Sequence, residues 1–218
     1  MTSSTALSRS PRSVRLAAVA GVTGPTLFTI GFLAQEAARR AEFSPVAEPV
    51  SALEAGPGGW VQQVNFVVFA GFLATFAIGL HRGLRPVRLG WLGPALFGAA
   101  SVGLVLAAVF PLRQNAAGVT YDPGYHFMSG VTFFLCSALG LLAVSYRLRR
   151  DPRFGGIATY ATVAGLVGLG CFVLLGRFAI PDGAPLHDVA GLLQRLTILL
   201  VTFPCLVTIA ARLGRTSR

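Results

Sequence analysis

The sequence contains no lysine, and charged residues make up only 12% of its 218 positions. An ordinary soluble domain carries about 25% charged residues, so this composition argues against one. Hydrophobic residues account for 54% of the chain, and its arginines lie between apolar runs. A net charge of +10 would suggest nucleic-acid binding in a soluble protein, but this distribution indicates a membrane protein that interacts with lipids and with no nucleic acid.

Motifs for cofactors and common catalytic mechanisms are also absent. The three cysteines, Cys136, Cys171 and Cys205, fall in different apolar runs, with neither disulfide nor metal-site spacing. The sequence has no Walker loop, dinucleotide fingerprint, nucleophile motif or His-Glu-x-x-His frame. We therefore expect no cofactor and no metal site.

Six apolar segments are each about 20 residues long, which is the length that a helix needs to cross about 30 Å of hydrocarbon. The sequence therefore predicts an all-α, six-helix membrane domain at residues 14–211, between tails at 1–13 and 212–218. The predicted spans are residues 14–34, 61–80, 90–110, 127–146, 157–175 and 189–211.

Charge sorts the connections between these spans onto two sides. The side of the termini holds 13 of the 18 arginines: Arg9, Arg12, Arg15, Arg82, Arg85, Arg88, Arg147, Arg149, Arg150, Arg153, Arg212, Arg215 and Arg218. The other side holds seven of the eight acids: Glu36, Glu42, Glu48, Glu54, Asp122, Asp182 and Asp188. By the positive-inside rule, we expect both termini in the cytoplasm and the protein in the cell membrane.

The first external connection is about 25 residues long, which favours a structured or functional loop. Within it, Ser51 and Glu54 have capping-box spacing, and Gly56-Pro57 forms a stop signal. These residues predict a short surface helix capped by Ser51 and Glu54, although Glu54 could instead belong to a site. Small residues at helical spacing on the first and fourth spans predict a close bundle through which a partner helix or a second copy could also pack.

Arg195 is the residue that is most costly to place, because it lies about two turns inside the sixth span. Two interpretations stay open for it: a strut paired with a loop carboxylate, or a contact for a lipid head group or a substrate anion. Asp188 and Gly191 share its helical face, with a gap where a group could enter. We expect Gln194, Asp188, Ser51 and Glu54 to join Arg195 in such a binding site.

Two external connections each pair an acid with a histidine, Asp122 with His126 and His187 with Asp188. If they converged, they could form the acid–base site of a membrane-embedded hydrolase or transferase. These histidines could instead have structural roles at the membrane interface. Metal binding is a further interpretation, which the sequence favours least.

The order of several motifs resembles a bacterial and archaeal six-span family known as domain of unknown function 998. The motifs are Gly21-x-x-Gly24-Pro25, Pro49-Val-Ser51-Ala-Leu53 before Gly56-Pro-Gly-Gly-Trp60, Phe110-Pro111, His126, and Gly191-Leu-Leu-Gln194-Arg195. The resemblance covers about residues 16–212. It implies a six-span fold and points to Ser51, His126 and Arg195 without naming a reaction. This chain has Leu112-Arg113 where many members carry an acid.

The sequence thus favours an external surface that binds or moves a lipid or another small amphiphile, with Arg195 at its polar head. A membrane-embedded enzyme and an assembly or regulatory subunit of a membrane complex remain the alternatives. The acids, two histidines and the intramembrane arginine all lie toward the external side, so we expect the functional site there.

Overall fold

The computed structural model describes residues 11–216, which form a helical bundle. Six of its helices are long and apolar enough to cross a membrane, so the prediction of an all-α, six-span fold is confirmed. The α-helices are α1 Pro11–Ala38, α2 Trp60–Gly83, α3 Leu92–Val109, α4 His126–Leu148, α5 Ile157–Leu174, α6 Ala190–Leu196 and α7 Phe203–Arg215. The last two belong to one continuous span, His187–Arg215. Arg9 and Arg218 lie outside the described residues, and the division into tails and membrane domain stays a prediction.

Each helix from α1 to α4 packs on the next in sequence, α5 contacts α7, and α7 also packs on α1. Phenylalanines from three helices meet in the core. The ring of Phe69 lies 5.0 Å from that of Phe28 and 5.2 Å from that of Phe203. These edge-on and tilted contacts suit the charge distribution of aromatic rings and join α1, α2 and α7.

Two similar segments, Gly21-x-x-Gly24-Pro25 in α1 and Gly90-x-x-Gly93-Pro94 at the start of α3, lie at close helix contacts. A Cβ on Gly21 would lie 2.7 Å from that of Ala210, and one on Gly93 would lie 2.4 Å from Val144 Cγ2. Larger side chains would separate these helices. Close packing through small residues is what holds helices together in a lipid environment.

The fifth and sixth spans contain π-helical turns. Residues Leu175–Ala179 continue α5, and Thr197–Thr202 join α6 to α7. Pro204 explains the second turn, because its nitrogen cannot donate and its ring pushes away the carbonyl one turn earlier. Such turns frequently occur at functional sites.

The connections α1–α2, α3–α4 and α5–α6 lie at one end of the bundle, called here the long-loop end. The loop before α2 contains a 3-10 helix at Val50–Glu54, in the predicted place. Its N-cap is Pro49, no side chain caps it, and four of its five residues are buried. The capping-box interpretation of Ser51 and Glu54 is therefore wrong, and this helix is not a surface helix.

A small antiparallel hairpin follows α3, formed by β1 Arg113–Gln114 and β2 Thr120–Tyr121. The sequence interpretation did not include it. Its turn is closed by Asn115, whose Oδ1 accepts hydrogen bonds from the backbone N–H groups of Ala117 and Val119. The hairpin therefore depends on local turn chemistry rather than on an alternating apolar pattern.

The opposite end, called the tail end, is held by Arg147 near the end of α4. This side chain is only 3% exposed. Its guanidinium donates to the carbonyl oxygens of His81, Leu84, Arg85 and Gly90. These carbonyls include orphan acceptors at the end of α2, so Arg147 fixes α4 to the α2–α3 connection.

Candidate functional site

An apolar cavity of about 240 Å³ lies at the long-loop end, between α3, α4, the π turn after α5 and the sixth span. It exceeds the ~150 Å³ of an engineered cavity that stays dry and binds benzene. Most of its lining is aromatic or aliphatic, including Leu104, Ala107, Phe127, Phe134, Phe172 and Ile198. The cavity therefore suits hydrocarbon.

Glycines on α4 and α5 explain why the cavity is at this end. Toward the tail end the two helices are in close contact. A Cβ on Gly165 would lie only 2.6 Å from Leu142. Toward the long-loop end, Gly130 and Gly176 line the cavity, and a Cβ on either would meet no atom within 4 Å. The same residue type thus closes one half of the helix pair and leaves the other half open.

Five polar residues also line the cavity: Ser51, Asp122, His126, Ser129 and Gln194. Gln194 Oε1 accepts a 2.7 Å hydrogen bond from the Val50 backbone N–H. Besides this bond of Oε1, the side chain makes no hydrogen bond with residues 11–216, its amide nitrogen included. Ser129 Oγ donates to the Tyr125 carbonyl, which leaves its lone pairs able to accept.

Asp122 caps the start of α4. Its Oδ1 accepts from the N–H groups of Gly124 and His126, and its Oδ2 accepts from that of Phe127 at 2.8 Å. Desolvation raises the pKa of Asp122, but these backbone hydrogen bonds together lower it by more, so its pKa lies below the ordinary value. Both oxygens are therefore committed to the helix start.

His126 and Glu54 form a buried pair next to the cavity. His126 Nδ1 lies 3.0 Å from the Phe110 carbonyl oxygen and 3.2 Å from Glu54 Oε2. The Glu54 side chain is fully buried, and no well-aligned hydrogen bond reaches either oxygen from the described residues. Burial raises the pKa of Glu54 to about 8, although contact with the Leu112 N–H partly opposes this.

Arg195 is engaged within the protein. Its Nε lies 2.9 Å from Glu36 Oε1, and its Nη2 donates to the same oxygen. Its Nη1 donates to the carbonyls of Glu48 and Gly191, and its guanidinium lies over the Phe43 ring. Four of five N–H donors are thus used, which is the arrangement that the strut interpretation describes.

The gap above Gly191 is filled by the chain's own long loop. The N–H groups of Gly191 and Leu192 donate to the carbonyls of Ala47 and Val46. A Cβ on Gly191 would lie 2.2 Å from the Glu48 carbonyl oxygen, so only glycine permits this approach. Asp188 is exposed, and the carboxylate that meets Arg195 is that of Glu36.

The two His/Asp pairs are not joined by any hydrogen bond or ion pair in the described part of the chain. His187 is exposed, and its Nδ1 contacts the Ala179 carbonyl. Between residues 11 and 216 there is no group of three His, Cys, Asp or Glu residues that could hold a metal. The structure thus brings His126, Glu54, Ser51 and Gln194 toward the cavity and leaves His187 and Asp188 apart from them.

A bundle of six membrane-spanning helices with a cavity at one end defines a multi-pass membrane protein. The chain belongs to the family described as Protein of unknown function (DUF998), whose sequence model matches residues 22–211. The resemblance noted in the sequence is thereby confirmed over most of the chain. Comparisons with curated proteins and with solved structures gave no match.

Proposed function

We propose that the protein binds a lipid or another amphiphile at the long-loop end of its bundle. The observation that carries this proposal is the apolar cavity, which lies among membrane-spanning helices and has five polar residues in its lining. Hydrocarbon would occupy the apolar part, and the polar group would meet Ser51, His126, Ser129 and Gln194. Burial of apolar surface would supply most of the affinity.

The long-loop end is proposed to face the outside of the cell membrane. Support comes from the arginines of the tail-end connections, among them Arg82, Arg85 and Arg88 between α2 and α3. Such an excess of basic residues is typical of cytoplasmic connections. An amphiphile would then reach the cavity from the outer leaflet or from the external solution.

The polar group of the ligand is assigned to the cavity lining rather than to Arg195. Four donors of Arg195 are already used by Glu36 and by backbone carbonyls. Recruiting it would break a buried ion pair, which typically costs several kcal/mol. Its role in this proposal is to hold the loop that forms one wall of the site.

Filling the cavity tests the proposal. Gly130→Leu would place a side chain in the space that this glycine lines, without a clash at Cβ. Native mass spectrometry of gently purified wild-type protein should detect a retained amphiphile, and the Gly130→Leu protein should lose at least about nine-tenths of it, as roughly 1.4 kcal/mol of lost binding would produce.

Gly170→Leu is the matched control. Gly170 lies on α5, is exposed, and also has no atom within 4 Å of a built Cβ, but it does not line the cavity. This variant should retain the wild-type amphiphile. If wild type carries nothing beyond bulk lipid composition, or if a folded Gly130→Leu protein carries the same species, the proposal is overturned.

A further inference from the structure

Among the described residues the cavity lining contains no arginine, although the chain has 18, and its one histidine, His126, has Nδ1 3.0 Å from the Phe110 carbonyl oxygen. Two arginines at the long-loop end bind other groups of the protein. Arg195 is paired with Glu36, and Arg39 donates to the Leu53 carbonyl at 3.0 Å. Arg177 is exposed beside Phe178 and lies outside the lining. A phosphate or carboxylate inside the cavity would therefore meet no guanidinium.

A cationic head would also lack a partner. Asp122 is the acid that lines the cavity, and its two oxygens accept three backbone hydrogen bonds. Glu54 lies behind His126 and is not part of the lining. Burying an unpaired ion is strongly unfavourable, so the cavity disfavours a ligand head group of either charge.

The polar lining does match an uncharged group that both donates and accepts. Gln194 offers an amide N–H that has no partner in residues 11–216, and this side chain is only 9% exposed. Ser129 Oγ can accept, because its own proton goes to the Tyr125 carbonyl. A hydroxyl group can accept from the amide and donate to the serine oxygen, which satisfies both.

The volume of the cavity is close to that of one alkyl chain. An engineered cavity of ~150 Å³ holds the six carbon atoms of benzene, so 240 Å³ corresponds to roughly ten carbon atoms. One alkyl chain of about eight to ten atoms would therefore fill the cavity.

We infer that the ligand is a single-chain amphiphile with an uncharged, hydroxyl-like head, bound through Gln194 and Ser129. This inference rests on the proposed function, because it names the ligand class of the same cavity. It goes further by separating such a ligand from anionic phospholipids and from cationic amphiphiles, which are the usual charged molecules of a membrane.

Four probes with the same ten-carbon chain test the head group: 1-decanol, decylamine, decanoate and decyl phosphate. Each is added at pH 7.5 to purified protein in a maltoside detergent, and thermal unfolding is measured for wild type and for Gly130→Leu. Subtracting the Gly130→Leu response removes effects of probe partitioning into the detergent. Only 1-decanol should raise the unfolding temperature of wild type, by roughly 2–4 °C for a modest stabilising ligand.

Two further variants assign the effect. Gly170→Leu should respond as wild type does. Gln194→Met keeps the length of the side chain but has no N–H donor for the ligand, so its response to 1-decanol should be lost. If Gly130→Leu does not fold, Gly176→Leu serves in its place, because Gly176 also faces open space in the lining.

The outcomes separate the two proposals. Equal shifts from all four probes that disappear in Gly130→Leu would overturn the uncharged-head inference and leave the proposed function standing. Shifts from decanoate and decyl phosphate but not from 1-decanol would also overturn it, with Arg177, which follows the lining residue Gly176 in sequence, as a candidate contact. If no probe shifts wild type more than Gly130→Leu, the inference and the proposed amphiphile site both fail.

Discussion

Arg195 in the sixth span and Glu36 near the end of α1 form a buried ion pair, with Arg195 Nε 2.9 Å from Glu36 Oε1. Arg195 is 7% exposed and Glu36 is 8% exposed. The pair ties the first span to the last, and Arg195 also donates to the Glu48 carbonyl of the long loop. It therefore fixes one wall of the cavity as well as the closure of the bundle.

Removing one member of this pair should destabilise the protein more than removing both. Arg195→Met leaves the Glu36 carboxylate buried without its cation, a situation that typically costs 3–5 kcal/mol. The double variant Arg195→Met, Glu36→Leu removes both charges and should recover part of that loss. Thermal unfolding of the four proteins of this cycle in detergent measures the coupling.

A coupling near zero, with the two single losses simply adding, would contradict the pairing. The exposed acid Glu42 provides the control, because it makes no side-chain hydrogen bond or ion pair with the described residues. Glu42→Leu combined with Arg195→Met should show additive effects, as distant independent sites do.

The sequence predicted that Arg195 needs an explanation but could not choose its partner. Glu36 is 159 positions away and was one of seven acids assigned to the same side. Which acid reaches Arg195 depends on α7 packing against α1, a tertiary contact that hydropathy and charge sorting do not encode. The spans themselves follow from local composition and length, and their prediction needed no such contact.

The cavity shows the same limit from another direction. Gly130 belonged to a row of small residues that predicted close packing, yet space surrounds it in the structure. Gly165 on α5 does make the close contact. The sequence shows only that glycine has no side chain. Whether a neighbouring helix or empty space lies next to it depends on how that helix is inclined.

Arg147 should be more important for stability than the other arginines of its connection. Arg147→Lys keeps the charge but cannot reproduce a planar fork that reaches four carbonyls. We expect a loss of about 2 kcal/mol or more, since hydrogen bonds to charged groups contribute about 1.5–3 kcal/mol each. Thermal unfolding measured beside wild type gives the size of the effect.

Arg150→Lys is the matched control, because Arg150 is exposed and donates to the Tyr146 carbonyl of its own helix. It should unfold within about 0.5 kcal/mol of wild type, as surface substitutions usually do. Equal effects of the two substitutions would mean that Arg147 acts only through its charge. The sequence interpretation treated both residues alike, as topology determinants, because burial cannot be read from a run of arginines.

Glu54 should make the stability of the protein fall as pH rises toward neutrality. Its pKa is about 8 in the folded protein, against 4.5 for an ordinary glutamate. Below pH 4.5 both the folded and unfolded states hold the proton. Between pH 4.5 and 8 the unfolded state releases it first, so unfolding becomes easier, and above pH 8 this effect reaches its limit.

Glu54→Gln removes this titration while preserving the size of the side chain. Its stability relative to wild type should therefore improve steadily from pH 5 to pH 8, whereas Glu42→Gln, at an exposed position, should show no such trend. Thermal unfolding across this range is the measurement. If the difference in stability between Glu54→Gln and wild type instead stays constant from pH 5 to pH 8, Glu54 is already ionised in the folded protein across this range, and the prediction is wrong.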